Sequence, residues 1–442
     1  MKKRKISFQK IFNLVSFVFI LTCCIFYGSR FIKLYLENQE KVVIETNTLG
    51  KELKVNNQDK LKNINNTLYF NGNVETNYVT YSGILWRVIK IEENNVITLV
   101  SNNSLTSLAF GENTEYTNSY VNTWLNRSDK NNSGILEKNL NSMITYLKNA
   151  DLCADKIDNV NDYSCENINN DYFITTLSIE DYINTGADNG FINTKESFYL
   201  SNQASDNNVW YINSDGKINK TSGTDIMGVK PVIKLKENLE LISGTGSKDD
   251  PYVIEKVLGL FGSYVKLGED IWRVIDVKDN NLKLVYNDYL HDGSDIISYK
   301  YSNYSSYHDD SKYNTLAYYL KNTFLNKLSY KDIIIETDYA NGYYGKENNF
   351  DYSETLNTTI KTKVALVSIG DIILNHDLHN YFTLTSSSTK KNFVYTIQND
   401  SIPYSKIISS TAHVVPVITI NKDALEGTGS KNDPLRLVTN NE

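Results

Sequence analysis

The chain is poor in the residues that catalysis and rigid turns draw on. It holds four cysteines and five prolines in 442 residues. All five histidines (His291, His308, His376, His379, His413) fall in the second half. Chemistry that depends on histidine therefore cannot be common to both halves. There is no Gly-x-Ser-x-Gly, no His-Glu-x-x-His, no zinc-type cysteine pairing and no EF-hand loop. Basic residues form no stripe interleaved with aromatics and the net charge is −7, so nucleic acid is excluded as the expected partner. Long apolar runs are absent beyond residue 28.

The one apolar run that exists is N-terminal. Lys2, Lys3, Arg4, Lys5 and Lys10 precede 17 uncharged residues, 11–27, and Arg30 and Lys33 follow. A span needs about 17–25 apolar residues, and the excess of basic residues before it places the N-terminus in the cytoplasm. The expected order is a cytoplasmic tail (1–10), a single-pass transmembrane anchor (11–28), a polar stalk (29–64) and an extracellular bulk. A cleaved signal peptide, or a lipid on Cys23 or Cys24, remains an alternative. Cys153 and Cys165, twelve apart in an exported chain, read as a local disulfide; two unrelated thiols are the alternative.

Aromatics are plentiful, with 32 Tyr, 16 Phe and 4 Trp, and a disordered chain would not carry them. The chain also repeats itself. Ile84-Leu85-Trp86-Arg87-Val88-Ile89 returns as Asp270-Ile271-Trp272-Arg273-Val274-Ile275. Leu177-Ser178-Ile179-Glu180-Asp181 returns as Val367-Ser368-Ile369-Gly370-Asp371, and Val229-Lys230-Pro231-Val232-Ile233 as Val414-Val415-Pro416-Val417-Ile418. The run from Gly244 and Gly246 to Asp250 and Pro251 returns from Gly427 and Gly429 to Asp433 and Pro434. Four matches in one order, about 185 residues apart, mark a duplicated domain rather than a solenoid unit. The copies are expected at 65–256 and 257–442.

Each copy alternates apolar and polar residues, which predicts strands. Asn-rich turns at 92–95 and 278–281 predict hairpins, and Asp215-Gly216 predicts another. Short helices are expected at 120–125, 178–183 and 316–325, the second capped by Ser178. The fold class is α+β with strands dominating.

The segment order is Trp-Arg-Val-Ile, Trp-Leu-Asn at 124–126, Leu-Ser-Ile-Glu-Asp, Trp-Tyr before Asp-Gly, Val-Lys-Pro-Val-Ile and a closing Gly-x-Gly-Ser-x-x-Asp-Pro. It resembles an uncharacterised family of exported domains from low-GC Gram-positive bacteria. That family is in turn similar to C-type-lectin-like and formylglycine-generating-enzyme-like domains. The resemblance implies two tandem lectin-like domains. It carries over no formylglycine-generating activity, because neither copy has a late cysteine.

Several residues could carry function. Trp124, Trp210 and Tyr211 would stack on sugar faces if exposed and would otherwise be core. The Trp86-Arg87 and Trp272-Arg273 pairs read as a core indole with an arginine paired to a carboxylate on the opposite face. His376 and His379 have a spacing that could ligate a metal on a helix, against a plain polar helix end. Asp249, Asp250, Asn432 and Asp433 could hold a Ca2+, although no cofactor is the primary expectation. The expected function is a membrane-anchored binding or adhesion protein, not an enzyme, for a surface glycan or protein ligand. The alternatives are an envelope-structural protein and a hydrolase using Asp181 and Asp371.

Overall fold

The computed structural model describes residues 47–127, 134–140, 146–255, 259–305, 308–340, 359–387, 390–399 and 403–438. The expected anchor and tail lie outside them. Among the described residues, no helix is long and apolar enough to cross a membrane.

The architecture is strand-dominated α+β. In the first half, Tyr78–Tyr81 turns through Ser82 and Gly83, both at positive φ, into Ile84–Ile91. Ile84–Ile91 pairs antiparallel with Ile97–Ser101 across the turn at 92–95, where Asn94 and Asn95 adopt left-handed backbone. Pro231–Leu235 and Ile174–Thr176 extend this sheet, and Tyr252–Val253 lies parallel to Tyr78–Tyr81. A second sheet is built on Phe198–Gln203. Asn208–Ile212 and Ile218–Ser222 lie on one side of it, and Ile226–Val229 and Thr106–Ala109 on the other. The Asp215-Gly216 hairpin forms as expected, with Gly216 at φ +82°.

The second half pairs its strands in the same way. Tyr264–Leu267, Asp270–Lys278, Asn281–Tyr286, Pro416–Asn421 and Val364–Leu366 form the large sheet, and Leu435–Leu437 is parallel to Tyr264–Leu267. Its small sheet is built on Tyr381–Ser386. Even the irregularities recur. The large-sheet bulge between Val88 and Lys90 returns between Val274 and Asp276, and the small-sheet bulge between Tyr199 and Gln203 returns between Phe382 and Ser386. A bulge re-aims every side chain beyond it, so its recurrence keeps the same faces inward in both halves.

Three elements depart from the sequence expectations. The segment expected as loose stalk is folded from residue 48 onward. Thr48 caps the helix Leu49–Asn56, which buries Leu49 and Leu53, and Leu61–Ile64 pairs with Thr67–Phe70 at the edge of the large sheet. Two leucines one turn apart make too narrow a stripe to stand out in a polar segment. Second, the run 229–235 splits at Lys230. Ile226–Val229 belongs to the small sheet and Pro231–Leu235 to the large one. Third, Ile179–Asn184 is a helix capped by the Ser178 hydroxyl, whereas its counterpart from Ile369 onward is a turn. Gly370 stands where Glu180 stood and takes φ +92°, a left-handed conformation that ends a helix.

Thr48–Glu442 forms one compact unit, and one buried apolar cluster runs through both halves. Along the seam, Gly83 (φ +66°) and Gly262 (φ +76°) touch backbone to backbone. A Cβ on Gly83 would lie 2.5 Å from the Cα of Gly262. The Leu105 carbonyl accepts from the Ile373 N–H at 2.8 Å, and Lys138 pairs with Asp276 at 2.7 Å.

Candidate functional site

The residues that recur in both halves hold the scaffold. Trp86 and Trp272 are fully buried, their indole N–H groups donating to the Tyr81 carbonyl and the Tyr330 hydroxyl. The arginines do not pair with carboxylates as expected. The Arg87 guanidinium lies 3.8 Å over the Tyr78 ring and donates to Asn77 and to the Val74 carbonyl. Arg273 lies 4.2 Å over Tyr264 and donates to the carbonyls of Gly262 and, across the seam, Gly83. Each guanidinium sits on an aromatic face and satisfies backbone acceptors that would otherwise be buried without a donor.

Asp181 and Asp371 are likewise committed. Asp181 accepts from Lys90 at 2.9 Å and from the Tyr69 hydroxyl at 3.2 Å. Asp371 accepts from Lys283 at 2.7 Å and from the Ser368 N–H. Both lysines also lie over tyrosine rings, Tyr69 and Tyr339. The two lysines come from different strands, so the trio is rebuilt in the second half rather than copied. A carboxylate held by a lysine in this way is not free for acid–base work.

The aromatic candidates are internal. Trp124 is 0% exposed and donates to the Gly370 carbonyl at 2.8 Å, which makes it part of the seam. Trp210 is 5% exposed and donates to the Ile157 carbonyl, with Lys220 4.6 Å over its ring. Tyr211 is half-buried. A sugar cannot stack on a face that solvent does not reach, so the two tryptophans fall to the core alternative. The exposed aromatic faces lie in the second half instead. Tyr313 is 66% exposed and packs edge-on against the half-buried Tyr318, and the half-buried Tyr299 stacks on Tyr319 at 4.9 Å.

Cys153 and Cys165 stand at disulfide distance, with their Cα atoms 5.8 Å apart. The neighbouring Asp155 accepts from the N–H groups of Glu166 and Asn167. Those three residues are the one cluster of potential metal ligands among the described residues, and its sulfurs are joined to each other. His376 and His379 lie in a turn-rich segment, not on a helix. Asp433 accepts from the Thr428 N–H and from Arg436, which ties it into its own loop.

The closing loops are glycine-permitted turns, as the sequence suggests. Gly244, Gly246, Gly427 and Gly429 all have positive φ. A Cβ on Gly244 would strike the Pro251 carbonyl, and one on Gly246 the Tyr252 ring. The Gly246 and Gly429 carbonyls accept from the N–H groups of Tyr78 and Tyr264, fastening each loop to the first strand of its large sheet.

These two loops border a cleft of about 750 Å3 shared by both halves. Lys248 to Pro251 line one rim and Gly429 to Asn432 the other. The walls carry Asn102, Asn103, Asn287 and Asn375, with the half-buried Tyr264 and the buried Phe261. Pro251, Val253 and Glu255 all face it, as the two-residue period of an extended chain requires. Glu255 is 3% exposed. Its Oε2 accepts from the Ser82 N–H at 2.9 Å, and its buried Oε1 accepts from no donor among the described residues. Burial pushes this carboxyl up to about 7, against the opposing pull of the Ser82 N–H.

Opposite halves meet again at His376, which lines the same cleft with its Nδ1 buried and unpartnered among the described residues. Burial pushes the imidazole down to about 4, Lys230 and Arg273 acting in the same sense while Glu196 and Asp377 oppose. It is therefore neutral at pH 7. Behind it, Lys230 and Glu196 form a buried pair, 3.8 Å apart. Glu196 also accepts from the Ser104 N–H and from Asn103.

Sequence reasoning singled out the loops but missed Glu255. Its only signal was an acidic residue in phase with Pro251 and Val253 at the end of an apolar strand. No protein-family model, curated protein or solved structure matches the chain.

Proposed function

We propose that the chain is an extracytoplasmic binding protein, held at the membrane by residues 11–28, whose two lectin-like halves grip a glycan or another polyhydroxylated envelope ligand between them. The observation that carries this reading is the cleft of about 750 Å3 built jointly by both closing loops. Ligand sites are concave and few, with a small number of placed polar groups. Asparagine amides offer both donors and acceptors, which suits hydroxyl groups, and the half-buried Tyr264 ring adds apolar surface. Charges of both signs on the rim favour a ligand without strong net charge.

The test is a binding screen of the full-length chain in detergent against immobilised glycans and envelope polymers. Asn432 is exposed on the rim, so Asn432→Trp narrows the mouth without disturbing the core. Saturable binding that weakens about tenfold or more in this variant supports the reading. Binding that ignores the variant sends the search to another surface.

A second reading, an extracytoplasmic hydrolase, is favoured by Glu255 alone. A cleft carboxyl raised to about 7 is tuned for general acid work. Turnover of a ligand found in the screen, abolished by Glu255→Gln, would establish it.

A further inference from the structure

We infer that the cleft recognises a protonated amine on its polyhydroxylated ligand, that is, a sugar with a free amino group, and that Glu255 is the residue that binds it. This deepens the glycan reading of the cleft and rests on it.

Glu255 carries an unsatisfied acceptor. Buried polar atoms in folded proteins find partners, and one that does not costs stability unless something else supplies the partner. Glu255 lines the cleft, with one oxygen bonded to the Ser82 N–H and the other buried without a donor among the described residues. Oε2 serves the fold through the Ser82 N–H, whereas Oε1 bonds to nothing among the described residues. The residue occupying the same place after the closing motif of the second half is Val438.

The cations lining the cleft do not reach Glu255. Arg273 is turned to the Gly262 and Gly83 carbonyls, and Lys248 and Lys431 stand exposed on the rim loops. Among the described residues no cation completes Glu255, and an ammonium on the ligand would. An ammonium supplies three donors and a full positive charge. It converts a carboxyl that is costly to ionise in isolation into one arm of an ion pair. A neutral hydroxyl or acetamide supplies a donor but not the charge, and is the weaker partner. His376, neutral and with Nδ1 unpartnered, can accept from or donate to an adjacent hydroxyl without repelling the amine.

The experiment compares an N-acetylglucosamine oligomer carrying one free amine with the same oligomer fully N-acetylated, by calorimetric titration of the full-length chain in detergent at pH 5.5, where the sugar amine arrives already protonated. The free-amine form is expected to bind about tenfold more tightly, and Glu255→Gln to remove that advantage. Titration in two buffers of different ionisation enthalpy should also show release of a proton when the free-amine form binds, because Glu255 gives up its proton on pairing; the acetylated form should release none. This second readout uses the unmodified chain, so it decides the matter even if the variant fails to fold. Equal affinity for the two oligomers, or binding of the free-amine form without proton release, overturns the inference and leaves the glycan reading standing. Binding of neither oligomer, nor of any other saccharide, overturns both.

Discussion

At the scale of single residues, the charged groups divide into those that hold the fold and one that is held ready. Lys230 and Glu196 belong to the first kind. Lys230 sits where the chain leaves the small sheet for the large one, and its ammonium donates to the Ile192 carbonyl and to Thr194 while facing Glu196. Removing one member of such a pair strands the other, at a cost of about 3–5 kcal/mol. Lys230→Met should therefore lower the unfolding free energy in urea by about that amount. A loss below 1 kcal/mol would show that the pair is solvated. Glu255 is of the second kind. Its carboxyl is raised to about 7 from an ordinary 4.5, so the folded state holds its proton more tightly than the unfolded chain. Stability from this group is full below pH 4.5 and is lost as the pH rises through 7. The wild type should lose up to about 3 kcal/mol more than Glu255→Gln between pH 4.5 and 7.5. Parallel pH profiles for the two would place Glu255 in solvent. Sequence could not single out either residue, because burial of an acid depends on which segments close over it.

At the scale of elements, local rules succeeded where local chemistry decides. Ser119, Ser178 and Thr315 cap their helices through the side-chain oxygen. The asparagine turns and the Asp-Gly hairpin form where the residues tolerate left-handed backbone. The reading failed where one residue or a distant contact overrode the pattern. Gly370 unwinds the expected repeat of the helix at 179–184, and its freed carbonyl takes the indole of Trp124. The pairing of Leu49 and Leu53 with the folded unit lay hidden in a polar stretch. Two predictions belong here. Gly83→Ala puts a side chain at positive φ against the Gly262 backbone, and should cost about 2–4 kcal/mol in thermal unfolding. A neutral substitution would mean the seam is loose. The twelve-residue separation of Cys153 and Cys165 makes their disulfide worth about 3 kcal/mol. The double Cys→Ser variant should lose that much relative to the oxidised protein. Two free thiols found by mass measurement on the untreated protein would remove that contribution.

At the scale of the whole molecule, the repeat was legible because it preserves strand, turn and packing residues at nearly constant spacing. What the repeat does was not legible. Trp124 and Trp210 could have been sugar-stacking residues on the sequence alone, yet both serve the interior. The cleft arises from the juxtaposition of two closing loops 183 residues apart in sequence, and no single segment advertises it. On the proposed function, this cleft is where the protein meets its ligand. Hydrogen exchange with and without a saccharide from the screen tests it directly. Slowed exchange at residues 244–251, 374–377 and 427–434 is the predicted result. Protection confined to the segment around the exposed Tyr313, with the cleft unchanged, would contradict it.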